Sequence, residues 1–219
     1  MIMKAARIHK FGPPSVIQLD EVPIPEPAEN EVCLCRIKKG ETILVHGASG
    51  AVGIAAVQIA KAEGLRVVGT AGSEEGLELV ASYADLVFNH KEKGYLNNAV
   101  AAIGGQGFDV VLENLANVNL GNDLNVLSQG ARVAVVGSRG TVEVNPRSLM
   151  LTESSIIGVM LFCNSLEETL QSAKYVAEGA EQGWLSPIVA HEYSLTEASQ
   201  AHQDIIVNAG ARGKLVLKL

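Results

Sequence analysis

An α/β fold built on a doubly wound parallel sheet is predicted for this chain by three observations. From Lys38 onward, short apolar runs alternate with segments of helical period, the pattern of a parallel sheet covered on both faces. The first such run, Thr42 to His46, leads into Gly47-Ala48-Ser49-Gly50-Ala51-Val52-Gly53, a glycine turn placed where a dinucleotide-binding unit carries one. The segment from Val52 to Glu63 is apolar on almost every side, Ala55, Ala56, Ile59 and Ala60 included, as in a helix pressed onto a sheet.

Residues 1 to 37 have a different texture. They read as strands Ala5 to Ile8, Val16 to Val22 and Glu31 to Ile37, separated by Gly12-Pro13-Pro14 and by the proline-rich run 23–27. After the glycine turn and its helix, Gly64 supplies the stop and Leu65 to Thr70 the next strand. A helix near Glu74 to Ser82, strand Leu86 to Asn89, a helix near Leu96 to Ile103 and strand Asp109 to Glu113 follow. A helix near Leu120 to Ser128 and strands Arg132 to Gly137 and Ile156 to Phe162 complete the alternation. Ser165 with Glu168, and Ser194 with Glu197, have the spacing of capping boxes and open two further helices. A turn over Gly210 to Gly213 and a last strand, Lys214 to Leu219, end the chain.

Composition narrows the class. With 219 residues, 47% of them hydrophobic, the chain can bury one sizeable core and a small second one. No signal-like or membrane-spanning run is read, so a soluble, cytoplasmic protein is expected. The net charge of −7 gives no footprint for nucleic acid. Cys33 and Cys35 share a strand face and Cys163 is remote, which suggests packed thiols in a reducing compartment rather than a zinc site.

Against the G-x-G-x-x-G pattern, Ala48 holds the first position, Gly50 the close-approach position and Gly53 the packing position. Glycines could serve packing alone, but the completed strand-helix-strand unit favours a dinucleotide site, with the pyrophosphate at the helix start. About 20 residues on, where a carboxylate would bond the NAD ribose, stand Thr70 and Ala71, followed by Gly72 and Ser73. That favours NADP(H). Glu74 and Glu75, just beyond, are read as the acidic first turn of the next helix.

The stretches HGASGAVG, GTAGSEEG, VFNH, ENLANVNL, VVGSRGTVEVNPR and ESSIIGVML resemble the zeta-crystallin family of NADPH:quinone oxidoreductases, within the medium-chain dehydrogenase/reductase superfamily. The similarity covers nearly the whole chain. The opening ARIHKFGPPSVIQL and closing GKLVLKL resemble the two ends of that family's GroES-like catalytic domain. The resemblance implies a Rossmann domain over 38–187, an N-terminal remnant of the catalytic domain over 1–37 and a C-terminal return to it over 188–219. In the family about a hundred residues, the usual scale of a domain, separate the strand resembling Glu31 to Ile37 from that resembling Thr42 to His46. Here Lys38-Lys39-Gly40 joins them, and the missing part would line the substrate pocket. A hairpin across this junction is not expected, because the strand before a dinucleotide loop is interior and has no free edge.

By motif, the resemblance assigns Ser49, Gly50, Ala51 and Val52 to the pyrophosphate, and Gly72 and His90 to the adenosine side. Asn119, Val136, Gly137, Ser138, Arg139, Val159, Met160 and Leu161 would border the nicotinamide half. His90 could instead cap a strand end, and Arg139 could form an ordinary salt bridge. The family's helix after GTAG carries a lysine where Glu78 stands, which weakens attraction for a 2′-phosphate. Hydride transfer from NADPH to a quinone or conjugated carbonyl is implied, without metal and with impaired activity in this shortened form. The alternative is a non-catalytic NADP(H)-binding or oligomerisation module. No catalytic residue is identified; Asp109 and Glu113 are read as structural. The resemblance also carries homo-oligomers formed through the strand matching Ile156 to Phe162, and RNA binding by some members, which the acidic composition does not support.

Overall fold

A computed structural model describes residues 2–10, 12–23, 37–207 and 212–218. The expected strand Glu31 to Ile37, with Cys33 and Cys35, lies outside the described residues except for Ile37, as do residues 210 and 211 of the expected turn Gly210 to Gly213. At the start of the chain, β1 (Ile2–Ile8) pairs antiparallel with β2 (Ile17–Pro23).

Next come β3 (Thr42–Val45), α1 (Ala51–Ala62), β4 (Arg66–Ala71), α2 (Glu74–Ala81), β5 (Leu86–Asn89) and α3 (Tyr95–Ala102). They are followed by β6 (Phe108–Glu113), α4 (Ala116–Asp123), β7 (Leu127–Val135), α5 (Pro146–Thr152) and β8 (Ser155–Gly158). The six strands β3 to β8 form one parallel sheet in the order β5-β4-β3-β6-β7-β8. The order reverses direction at β3 and β6, the crevice where a doubly wound sheet receives a ligand. β3 is paired on both sides, so no hairpin joins it to the preceding segment.

Side chains alternate across this sheet as a period of two demands. Ile43, Val45, Val67, Val110, Leu112 and Ala134 pack with Ala56, Val57 and Ala60 of α1 and Val80 of α2. Leu44, Val68, Val111 and Val133 point the other way, into Leu96 and Ala99 of α3 and Ala116 and Leu120 of α4. Each fully buried Val or Leu contributes about 1.5–3 kcal/mol, and the twin cores fix the register of every strand that carries the site.

Several boundaries differ from the sequence reading. α4 runs from Ala116, not Leu120, because Leu115 and Ala116 donate their amides to Glu113 and Gly137 at the strand ends. Leu127 already belongs to β7, opposite Phe108. α5 was not anticipated, although Asn145 at its N-cap followed by Pro146 is a helix-start signal. β8 ends at Gly158, and Leu161–Cys163 form a 3-10 turn where strand was expected.

Both expected capping boxes are present. One opens α6 (Leu166–Gln182), and the other opens a 3-10 turn leading into α7 (Ala198–Val207). Between them lies an unanticipated strand, β9 (Val189–Ser194), which pairs parallel with β10 (Lys214–Lys218). Among the described residues, β1–β2 and β9–β10 are separate two-stranded sheets. No helix of the described residues is long and apolar enough to cross a membrane.

Candidate cofactor site

The turn between β3 and α1 is built on glycine for two distinct reasons. Gly47, not Ala48, makes the tight turn, with φ of +59°, a conformation costly for a residue with a Cβ. Ala48 is fully buried instead. A Cβ on Gly53 would lie 2.3 Å from the Gly47 carbonyl oxygen and 2.6 Å from Ala48 Cα, so Gly53 is what lets α1 close on the turn.

Gly50 is the N-cap of α1 and offers no capping side chain. The first-turn amides of Ala51 and Val52 therefore have no side-chain acceptor, while the dipole of a 12-residue helix points at them. Among the described residues, a Cβ on Gly50 would meet only the Gly47 oxygen at 3.4 Å, which leaves space beside the helix start. From the far end of the chain, Gly213 donates its amide to Ser49 O at 2.9 Å and bridges to Gly50. No pattern in the sequence points to this contact, which joins residues far apart along the chain.

The other expected residues follow the carboxyl ends of successive strands. After β4, Gly72 faces the ring of His90, whose own amide donates to Ala71 O at 3.1 Å. Burial, then the His46 and Lys91 charges, lower the His90 pKa. Ser73 caps α2 by accepting from the Gly76 amide, which leaves Glu74 and Glu75 in the first turn as expected. After β7, Gly137 packs so tightly that a Cβ would sit 2.5 Å from Asn114 O. Ser138 is exposed, its hydroxyl donating to Gly140 O, and the Arg139 amide donates to Asn117 Oδ1. The Arg139 side chain has no ion pair among the described residues. After β8, Val159, Met160 and Leu161 are exposed.

One group of functional character was missed. Glu113, read as structural without a partner, ends β6 fully buried, and Asp123 at the end of α4 is equally buried. Asp109 keeps its structural role, accepting from the Thr42 amide and the Ser128 hydroxyl. Glu113 Oε1 accepts from the Leu115 amide at 2.5 Å and from Asn119 Nδ2 at 3.2 Å. His46 Nε2 donates to Asp123 Oδ1 at 2.9 Å, its Nδ1 lies 3.4 Å from Thr70 Oγ1, and that oxygen accepts from the Gly47 amide.

Burial, reinforced by the Asp123 carboxyl and only partly offset by His46, pushes Glu113 up to about 7. The hydrogen bond to Asp123 holds His46 above its ordinary value against its own burial. Sequence could have flagged only three polar residues at strand or helix ends; their convergence is a product of topology.

Fold and turn define a Rossmann-type α/β domain with a parallel sheet. Residues 51–174 match the family model described as zinc-binding dehydrogenase, and the chain belongs to that family. It is 53% identical over 185 residues to a rat quinone oxidoreductase and 52% identical over 184 residues to the human one, covering 84% of this chain in both cases. It spans just over half, 56%, of the length of those relatives. The solved quinone oxidoreductase of Escherichia coli complexed with NADPH superposes with a TM-score of 0.74 at 25% identity, over 84% of this chain and 59% of that one.

Among the described residues, the one grouping of His, Cys, Asp and Glu close enough to share an ion is His46, Glu113 and Asp123. There Nε2 of His46 lies 2.9 Å from Asp123 Oδ1, and the grouping contains no cysteine.

Proposed function

We propose that the chain is the nucleotide-binding part of an NADPH-dependent quinone oxidoreductase, and that it holds NADP(H) across the carboxyl ends of β3 to β8. The observation that carries this is the glycine N-cap. Gly50 leaves the first-turn amides of α1 without a side-chain acceptor and the space above them open, as a diphosphate requires.

On this reading Ser49, Gly50, Ala51 and Val52 meet the pyrophosphate, and Gly72 and His90 the adenosine ribose. Asn119, Val136, Gly137, Ser138, Arg139, Val159, Met160 and Leu161 border the nicotinamide. The side chains of Thr70 and Ala71, buried in place of a carboxylate, support the 2′-phosphorylated form. The bound cofactor supplies the hydride for a quinone or enone acceptor, while the chain orients it and shields one face.

A second reading, a binding module without turnover, is favoured by the junction at 38–41. There Lys38 and Glu41 close a tight turn directly into β3, and only Lys38-Lys39-Gly40 stands where the family resemblance places a pocket-lining segment. Orientation and water exclusion lost with such a domain are worth several kcal/mol. The small sheets β1–β2 and β9–β10 would be the GroES-like parts over 1–37 and 188–219, flanking the Rossmann part over 38–187. Self-association through the β8 edge and a cytoplasmic location belong to the same reading.

NADPH fluorescence titration followed by stopped-flow quinone reduction tests both. Binding with turnover supports the enzyme, binding without it the module, and the absence of binding refutes the cofactor site.

A further inference from the structure

Among the described residues, two oxygens in the buried cluster, Glu113 Oε2 and Asp123 Oδ2, have no hydrogen-bond partner, although His46 Nε2 stands 3.8 Å from the first. Buried carboxylate oxygens without a donor are costly, and these two carboxyls belong to one cluster whose polar atoms lie within 4.8 Å of one another. A single proton between them satisfies both, since a protonated carboxyl donates and an ionised one accepts.

We propose that Glu113 keeps one proton against Asp123, and that in this state it is the positioning residue for Asn119 and, through Asp123, His46 and Thr70, for the Gly47 turn. The proposal rests on the dinucleotide reading above. Asn119 and Leu115 donate to Glu113 Oε1, Asp123 accepts from His46, and His46 faces Thr70, which receives the Gly47 amide; the proposed hydrogen from Glu113 to Asp123 joins the two halves. One end of this chain lies on the nicotinamide side and the other under the diphosphate turn.

Charge around the cluster comes from every packed element. β3 supplies His46, β6 Glu113 and α4 Asp123; α3 supplies Tyr95, edge-on to His46 at 6.3 Å, and the segment after β5 supplies His90. The burial and neighbouring carboxyl that raise Glu113 to about 7 keep its proton in mildly acidic solution and release it as pH rises through neutrality. Two facing carboxylates then part, and Asn119 loses its anchor.

The test compares the wild type with Glu113→Gln, whose amide permanently supplies the hydrogen to Asp123 while its oxygen still receives Asn119 and Leu115. NADPH dissociation constants are measured from about pH 6 to about pH 9, and melting temperatures of the nucleotide-free proteins from about pH 4 to about pH 9, because the raised Glu113 costs stability as pH climbs from the ordinary carboxyl range through about 7. The wild-type constant, relative to that of Glu113→Gln, is expected to rise about tenfold, the effect of one pKa unit. Without nucleotide, the variant is expected to melt as the wild type does in acid and higher in alkali. A constant ratio of dissociation constants, with both proteins binding, overturns the positioning role. Melting curves that move in parallel overturn the shared proton. A melting rise on adding Zn²⁺ that Glu113→Gln abolishes would assign the oxygens to a cation and also overturns it. Absence of any nucleotide binding refutes the dinucleotide reading and the positioning role together, while the melting arm still decides the proton.

Discussion

The ring of His90 closes on Gly72: a methyl group added at Gly72 would stand 2.5 Å from His90 Nε2. Glycine at this position lets the segment after β5 lie against the end of β4, where the adenosine ribose is proposed to sit. Gly72→Val is expected to displace His90, weaken NADPH about tenfold or more, and cost only about 1 kcal/mol of stability at this half-exposed position. Fluorescence titration and urea unfolding read the two effects separately.

Gly53 has the opposite profile. Its Cβ would collide with backbone at 2.3 Å and 2.6 Å, and backbone cannot move aside as a flexible side chain can. Gly53→Ala is expected to lose about 2–3 kcal/mol together with nucleotide binding. A urea midpoint equal to the wild type's would contradict this account of the turn.

Asp85 joins α1 to the sheet, with Oδ1 accepting from Lys61 Nζ at 2.6 Å and Oδ2 from the Val67 amide at 2.7 Å. Burial works against its charge, but Lys61 and the amide outweigh it and depress its pKa. The folded value lies below the unfolded one, so this stabilisation is present above the ordinary aspartate range and is lost as pH falls through the folded value. Asp85→Asn is expected to lose stability at neutral pH and to show a flatter acid limb in a melting-temperature profile.

At the β8 edge, Ile156 and Ile157 are exposed, and Met160, Leu161 and Phe162 follow them, Phe162 being 93% exposed. An apolar strand edge of this kind invites pairing with a second copy. Sedimentation should show an oligomer for the wild type and a monomer for Ile157→Lys. A wild-type monomer would remove this part of the proposal.

Most of the parallel sheet could be read in the sequence because each strand there carries a continuous apolar run and each connection a helical period. The Val52 to Glu63 helix lies within one residue of α1 at either end for that reason. The reading failed where a boundary depends on a distant partner. α4 starts early because Glu113 and Gly137 receive its first amides, and β9 exists only because β10 lies beside it. Residues of the proposed site could be placed on loops after strands, but the roles of Glu113, Asp123 and His46 could not. They stand 10 and 67 residues apart along the chain, and only the order of the parallel strands brings them into contact.

Calorimetric titration of NADPH into the wild type and Gly50→Val tests the central claim most directly. Gly50 has φ of −73° and ψ of 171°, a backbone that valine adopts without strain, so the variant should fold with an unchanged melting temperature. The account predicts heat of binding for the wild type and none for Gly50→Val, whose side chain fills the space over the free amides. Equal binding by both proteins, or no heat from the wild type with either nicotinamide nucleotide, would contradict it.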